Sequence, residues 1–140
     1  MRNMVIFVWC AVILVFTCVS SFQDFIHFGV LRFRWDSHPP FSHFLLPLPY
    51  NLSRGFLLQK LGHIAVFQVL TYLLLVKYRS RCMILIVAAA FAALTEILQL
   101  FFTRGGRAFD VGFDLIGILL ALALAGFFRM NHYQQINLKN

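Results

Sequence analysis

Four stretches of the chain are almost free of charge: Met4 to Phe22, Leu61 to Val76, Cys82 to Phe102 and Val111 to Phe128, of 19, 16, 21 and 18 residues. A helix rises about 1.5 Å per residue, so roughly 17–25 apolar residues cross a hydrocarbon core of about 30 Å. The pattern predicts an all-α integral membrane bundle of four transmembrane helices, one domain over residues 1–140. Lys60 and Lys77 flank the shortest run, and their long stems can snorkel to the interface.

Three ionisable side chains interrupt this pattern: His63 early in the second run, Glu96 late in the third and Asp114 early in the fourth. Successive helices alternate in direction, so these three ends share one side of the membrane. Lys60, Gln99, Arg104, Arg107 and Asp110 gather there too. A charge at mid-membrane costs about 2.5–3.5 kcal/mol on insertion scales, so a chain that keeps one usually pairs it or uses it. On the fourth run, Asp110, Asp114, Gly117, Ala121 and Ala125 follow helical steps, giving a stripe of carboxylates continued by small residues that allow close helix packing. Ala89, Ala92 or Ala93, Glu96 and Gln99 draw a comparable stripe on the third. The two stripes are expected to face each other and bury the acids.

Composition supports the membrane reading: 61% of residues are hydrophobic and 12% charged, against roughly 45–50% and 25% in soluble domains. The net charge of +7 sits in short clusters beside apolar runs. No aromatic-basic platform or DNA-binding motif accompanies it, so anionic lipid head groups are the expected partner and nucleic acid is not. Cys10, Cys18 and Cys82 have no paired spacing and read as small packing residues, which leaves no zinc or disulfide framework.

Between the first two runs, Gln23 to Lys60 holds all four prolines, the histidines 27, 38 and 43, and many aromatics. That mixture suits a loop on the membrane surface, with Trp35 and Tyr50 in the interfacial belt. Its histidines match no metal-ligand spacing and read as solvated side chains. Arg2 before an apolar run also fits a signal peptide cleaved near Val19-Ser20-Ser21, but the run exceeds the usual h-region, so a retained helix is favoured. Lys and Arg divide evenly between the two sides: Arg2, Lys77, Arg79, Arg81, Arg129 and Lys139 against Arg32, Arg34, Arg54, Lys60, Arg104 and Arg107. The dense Lys77-Arg79-Arg81 turn decides the balance and places the termini in the cytoplasm.

Lys60-Leu61-Gly62-His63, Glu96-Ile97-Leu98-Gln99 with Phe101, Arg104-Gly105, Asp110-Val111, Asp114 and Gly117 together resemble the VanZ-like membrane proteins, named after a bacterial teicoplanin-resistance protein. The resemblance covers roughly residues 57 to 128, with an echo in Ser20-Ser21 and Gln23. Gln59 stands where such proteins often carry an acid, and Val66-Phe67 where they commonly carry a Glu-Tyr or similar pair. The resemblance implies a protein of the bacterial cytoplasmic membrane with a role in the cell envelope or in tolerance of teicoplanin-type glycopeptides. Lipid-linked cell-wall precursors, or glycopeptides bound to them, would then be the ligands.

The residues alone leave several chemistries open. Arg104 or Lys60 could simply neutralise Glu96, Asp110 and Asp114 in a structural network. Alternatively, Lys60, Arg104 and Arg107 could receive a phosphate or carboxylate at the extracytoplasmic face, with the acids orienting them and His63 tuning the charge. A membrane enzyme acting on a lipid-linked phosphate through His63, the carboxylates and a divalent cation is an alternative, as is a small proton-coupled transporter. The Lys-x6-Arg-Pro and Ser-Gly-His pattern of lipid phosphatases is missing, and four short spans without a repeat make a poor lone carrier. The sequence therefore favours a non-enzymatic protein, with no catalytic residue, metal or cofactor assigned.

Overall fold

The computed structural model of the chain describes residues 2–20, 28–48, 50 and 53–137, the side chains of 2 and 129–137 excepted. It contains four helices, α1 (Arg2–Cys18), α2 (Arg54–Lys77), α3 (Arg81–Phe101) and α4 (Ala108–Asn137), with a 3-10 turn at Phe41–Leu45. Three segments are long and apolar enough to cross a membrane: Arg54–Lys77, Arg81–Phe101 and Ala108–Phe128. The apolar α1 has 17 residues.

Helix boundaries differ from those read off hydropathy, for local reasons. Ser53 and Ser80 start α2 and α3, their hydroxyls accepting the N–H groups of Phe56 at 3.2 Å and Met83 at 3.3 Å. The Ser53 cap sets α2 off seven residues before the apolar run and carries Lys60 into the helix interior. There Lys60 is buried and paired, so it does not snorkel to the interface as its flanking position suggested. At the other end of the prediction, α1 stops at Cys18, because Val19 bridges to Phe33 and the Ser20 N–H donates to the Arg32 carbonyl at 2.8 Å. The expected end of the first run at Phe22, the processing site at Ser21, the echo at Gln23, and His27 fall outside the described residues.

The helices meet along their small residues. At the core, Ile13, Phe67, Leu70, Leu74, Ile84, Ala88, Ala92 and Ile118 bring all four helices together. The buried stripe of α3 runs through Ile84, Ala88, Ala92, Glu96 and Gln99, while Ala89 and Ala93 are only half-buried. On α4, Asp110, Asp114, Gly117 and Ala121 are buried and Ala125 is half-buried. Gly117 lies so close to the Ile64 main chain that a Cβ there would collide with its carbonyl. This contact fixes α2 against α4, the most extensive helix pairing in the fold. The α1 helix is held by the Trp9 indole, which donates to the Val66 carbonyl of α2 at 3.2 Å.

The described part of the long loop folds over the end of α3. Trp35 stacks on Phe101 at 5.2 Å, Phe41 meets the same ring edge-on, and the Asp36 N–H donates to the Phe101 carbonyl at 2.8 Å.

Candidate functional site

The α3–α4 turn is tight because α3 ends in a Schellman motif. Arg104 N–H donates to the Gln99 carbonyl at 2.9 Å and Thr103 N–H to the Leu100 carbonyl at 3.3 Å, with Thr103 left-handed at φ 56°. Gly105 follows at φ 68°. Gly106 is then pressed onto α3, where a Cβ would overlap the Glu96 carbonyl. The turn thus delivers the Arg107 N–H to Glu96, donating to Oε2 at 3.1 Å.

Glu96 is fully enclosed, and its other oxygen, Oε1, accepts from Gln99 Nε2 at 3.1 Å. His63 reaches in from α2 with Nδ1 3.7 Å from Glu96 Oε1 and 2.9 Å from Asp114 Oδ1. Donor atoms of His63, Glu96 and Asp114 all lie within 4.8 Å of one another. Three helices therefore bring one polar side chain each to a common point. Asp114 is completely buried, and its Oδ2 has no hydrogen-bond partner among the described residues.

About one helical turn nearer the helix ends, Lys60 Nζ lies 2.5 Å from Asp110 Oδ1, an ion contact without directed hydrogen-bond geometry. Its ammonium also faces the rings of Phe56, Phe109 and Phe113 at 4.7, 5.1 and 6.0 Å. This aromatic enclosure weakens competition from water and strengthens the pair.

The two arginines have different surroundings. Arg104 turns back to α1, where Nη1 donates to the carbonyls of Phe16 at 2.8 Å and Val19 at 2.9 Å. It caps the carbonyls at the C-terminal end of that helix, where the backbone dipole favours a cation. Burial lowers its pKa from the ordinary guanidinium value, and the nearby Glu96 charge opposes that shift. Arg107 is half-buried, with its guanidinium 5.6 Å from the Phe109 ring centroid, and makes no ion pair among the described residues. Beside it opens a cleft of about 310 Å³ lined by Ser53, Phe56, Gln59, Lys60, Arg104, Gly105, Arg107 and Asp110.

Lys60, His63, Glu96, Gln99, Asp110 and Asp114 thus gather within the bundle, and Arg107 joins them through its main chain. Gly117 and Ala121 supply close packing beneath them, whereas Ala125 lies farther along α4, beside Arg79 and Arg81. His38 and His43 remain on the exposed loop. Sequence reasoning missed Gly106 and Trp9. The paired Gly105-Gly106 was a usable signal for the first, since one glycine serves the left-handed turn and the next the close approach. Nothing in the local pattern announced the Trp9 partner 57 positions away.

No family model matches the chain, and no solved structure matches it. It is similar to the protein named "Uncharacterized membrane protein YwnJ" of Bacillus subtilis (strain 168), 37% identical over 129 residues that cover 89% of each chain. Identity of that extent joins the two proteins along most of their length. The chain belongs to the same family of membrane proteins as YwnJ.

Proposed function

We propose that the chain is a non-enzymatic, VanZ-like protein of the bacterial cytoplasmic membrane that holds the anionic head group of a lipid-linked cell-envelope molecule in the cleft beside Arg107. The observation that carries this reading is a half-buried guanidinium that has no carboxylate partner among the described residues, at the mouth of a cleft that Lys60 and Arg104 also line. Guanidinium groups bind phosphate and carboxylate oxygens through paired N–H donors, and such bonds are stronger than neutral ones. Phe56 and the exposed Leu57 and Leu58 lie beside the polar wall, so a ligand with a charged head and an apolar tail meets both kinds of surface.

In this reading α1 serves as a fourth crossing, its 17 residues being close to the minimum for a span. With the termini in the cytoplasm, the cleft opens on the outer face, where cell-wall precursors await assembly. Binding there would account for a contribution to tolerance of teicoplanin-type glycopeptides. A reporter fused at residue 140 is then active only when the fusion partner works in the cytoplasm.

The test uses the full-length protein in lipid nanodiscs and a polyprenyl diphosphate as probe. Arg107→Glu is expected to weaken binding about tenfold or more while the protein inserts and accumulates normally. Equal binding by the two proteins would overturn the reading. In cells, deleting the gene is expected to shift susceptibility to glycopeptides and lipoglycopeptides alone. A uniform shift across unrelated drugs would instead indicate a general membrane defect.

A further inference from the structure

We propose that His63, Glu96 and Asp114 form a binding site for a divalent first-row transition-metal ion in the range from manganese to zinc. The site uses different atoms from the anion cleft and stands whether or not that cleft binds lipid.

The donor set comes first. A metal bound at about 2.0–2.2 Å to imidazole nitrogen and carboxylate oxygen sets its ligand atoms roughly 3.0–3.4 Å apart, for angles between square and tetrahedral. His63 Nδ1 stands 2.9 Å from Asp114 Oδ1 and 3.7 Å from Glu96 Oε1, which bracket that range, and the whole donor set lies within 4.8 Å. An ion between them draws the two carboxylates toward each other and toward the imidazole. One nitrogen and two oxygens suit zinc or manganese better than calcium or magnesium, which prefer all-oxygen shells.

Charge and hydrogen bonding point the same way. Among the described residues the enclosed carboxylates of Glu96, Asp110 and Asp114 are accompanied by one buried lysine, and Lys60 is committed to Asp110. His63 is then the ionisable side chain in reach of both Glu96 and Asp114, and a divalent ion shared by the three balances the carboxylates where they are ionised. Asp114 Oδ2 is buried without a partner on a side chain that already reaches into the cluster through Oδ1. An orphaned carboxylate oxygen at full burial is costly unless something accepts its lone pairs. A cation that Asp114 holds through both of its carboxylate oxygens does so.

The surroundings hold the donors in place. Gln99 Nε2 and the Arg107 N–H fix both Glu96 oxygens, as outer partners of metal-binding carboxylates do. Gly117 against Ile64 sets the distance between the helices that carry Asp114 and His63. His63 remains partly accessible, with 16% of its side chain exposed, and gives an ion a way in.

The experiment strips the purified full-length protein with a chelator in detergent, dialyses it against Zn2+, Mn2+ or Co2+, and measures bound metal by mass spectrometry. One ion of zinc or manganese per chain is expected, together with a visible Co2+ spectrum and a metal-dependent rise in Tm. His63→Ala and Asp114→Asn are each expected to weaken binding about tenfold or more, while Arg107→Ala retains it. A wild-type protein that holds no stoichiometric metal overturns the proposal, and this outcome needs no variant to fold. Unchanged metal retention by folded His63→Ala overturns it as well.

Discussion

Gly117 and Ile64 touch main chain to main chain: the α carbon of Gly117 faces the Ile64 carbonyl with no room for a methyl group. The neighbours of this contact are His63 on one helix and Asp114 one turn away on the other. Gly117→Ala must push the helices apart, at a cost of about 1–3 kcal/mol for overpacking, larger than the roughly 0.5–1 kcal/mol that alanine contributes through helix propensity. Gly112, one and a half turns earlier on the same helix, has open space around it, so Gly112→Ala shows the propensity gain alone. Thermal unfolding in detergent is expected to give a lower Tm for the first variant and an equal or higher one for the second. A matched response would mean that the close approach is not rigid.

The Lys60–Asp110 pair is expected to behave as a unit. With both side chains buried, removing either one leaves an uncompensated charge, at about 3–5 kcal/mol. Lys60→Met and Asp110→Leu should each lower stability strongly, and the double variant should recover most of the loss. A double-mutant cycle measures this directly. Additive losses would show that the two charges are balanced elsewhere.

Arg104 is expected to matter for the docking of α1 more than for any ligand. Its Nη1 holds two carbonyls near the end of α1, and a hydrogen bond from a charged donor contributes about 1.5–3 kcal/mol. In Arg104→Ala, hydrogen exchange should quicken in residues 14–20, while amides in the middle of α3 keep their protection. Uniform exchange rates across both helices would remove the arginine from this role.

How much of this was written locally depends on the range of each interaction. Hydropathy located the three segments fit to cross a membrane, because an apolar face toward lipid needs no partner to be recognised. The direction of successive helices then placed His63, Glu96 and Asp114 at one end, and helical periodicity found the stripe through Gly117 and Ala121 on α4. Periodicity on α3 was ambiguous between neighbouring alanines, since either has the same side chain, and burial selected Ala88 and Ala92. Lys60 was offered both as an interfacial anchor and as a partner of the acids, and the sequence did not choose between them. A lysine at the edge of an apolar run reads as an interfacial anchor until its partner 50 positions later is known to lie beside it. Helix direction brought His63, Glu96 and Asp114 to one end, but the mutual approach of their donor atoms to within 4.8 Å was not legible, with one donor on each of three helices and no spacing motif to reveal it.

The turn after α3 offers a paired test of backbone conformation. Thr103 occupies the left-handed region at φ 56°, where a β-branched residue is strained, yet it sits at the Schellman position that glycine usually fills. Thr103→Gly removes that strain, worth about 1–2 kcal/mol, and gives part of it back through the greater freedom of glycine in the unfolded chain. Gly105, at φ 68° with nothing within 4 Å, is the converse case. There Gly105→Ala meets no neighbour and suffers only the backbone cost, so Tm should rise for Thr103→Gly and fall for Gly105→Ala. Both variants leave every side chain of the polar centre in place, so a fall in both would mean that Thr103 is retained for a contact of its side chain and not for its backbone.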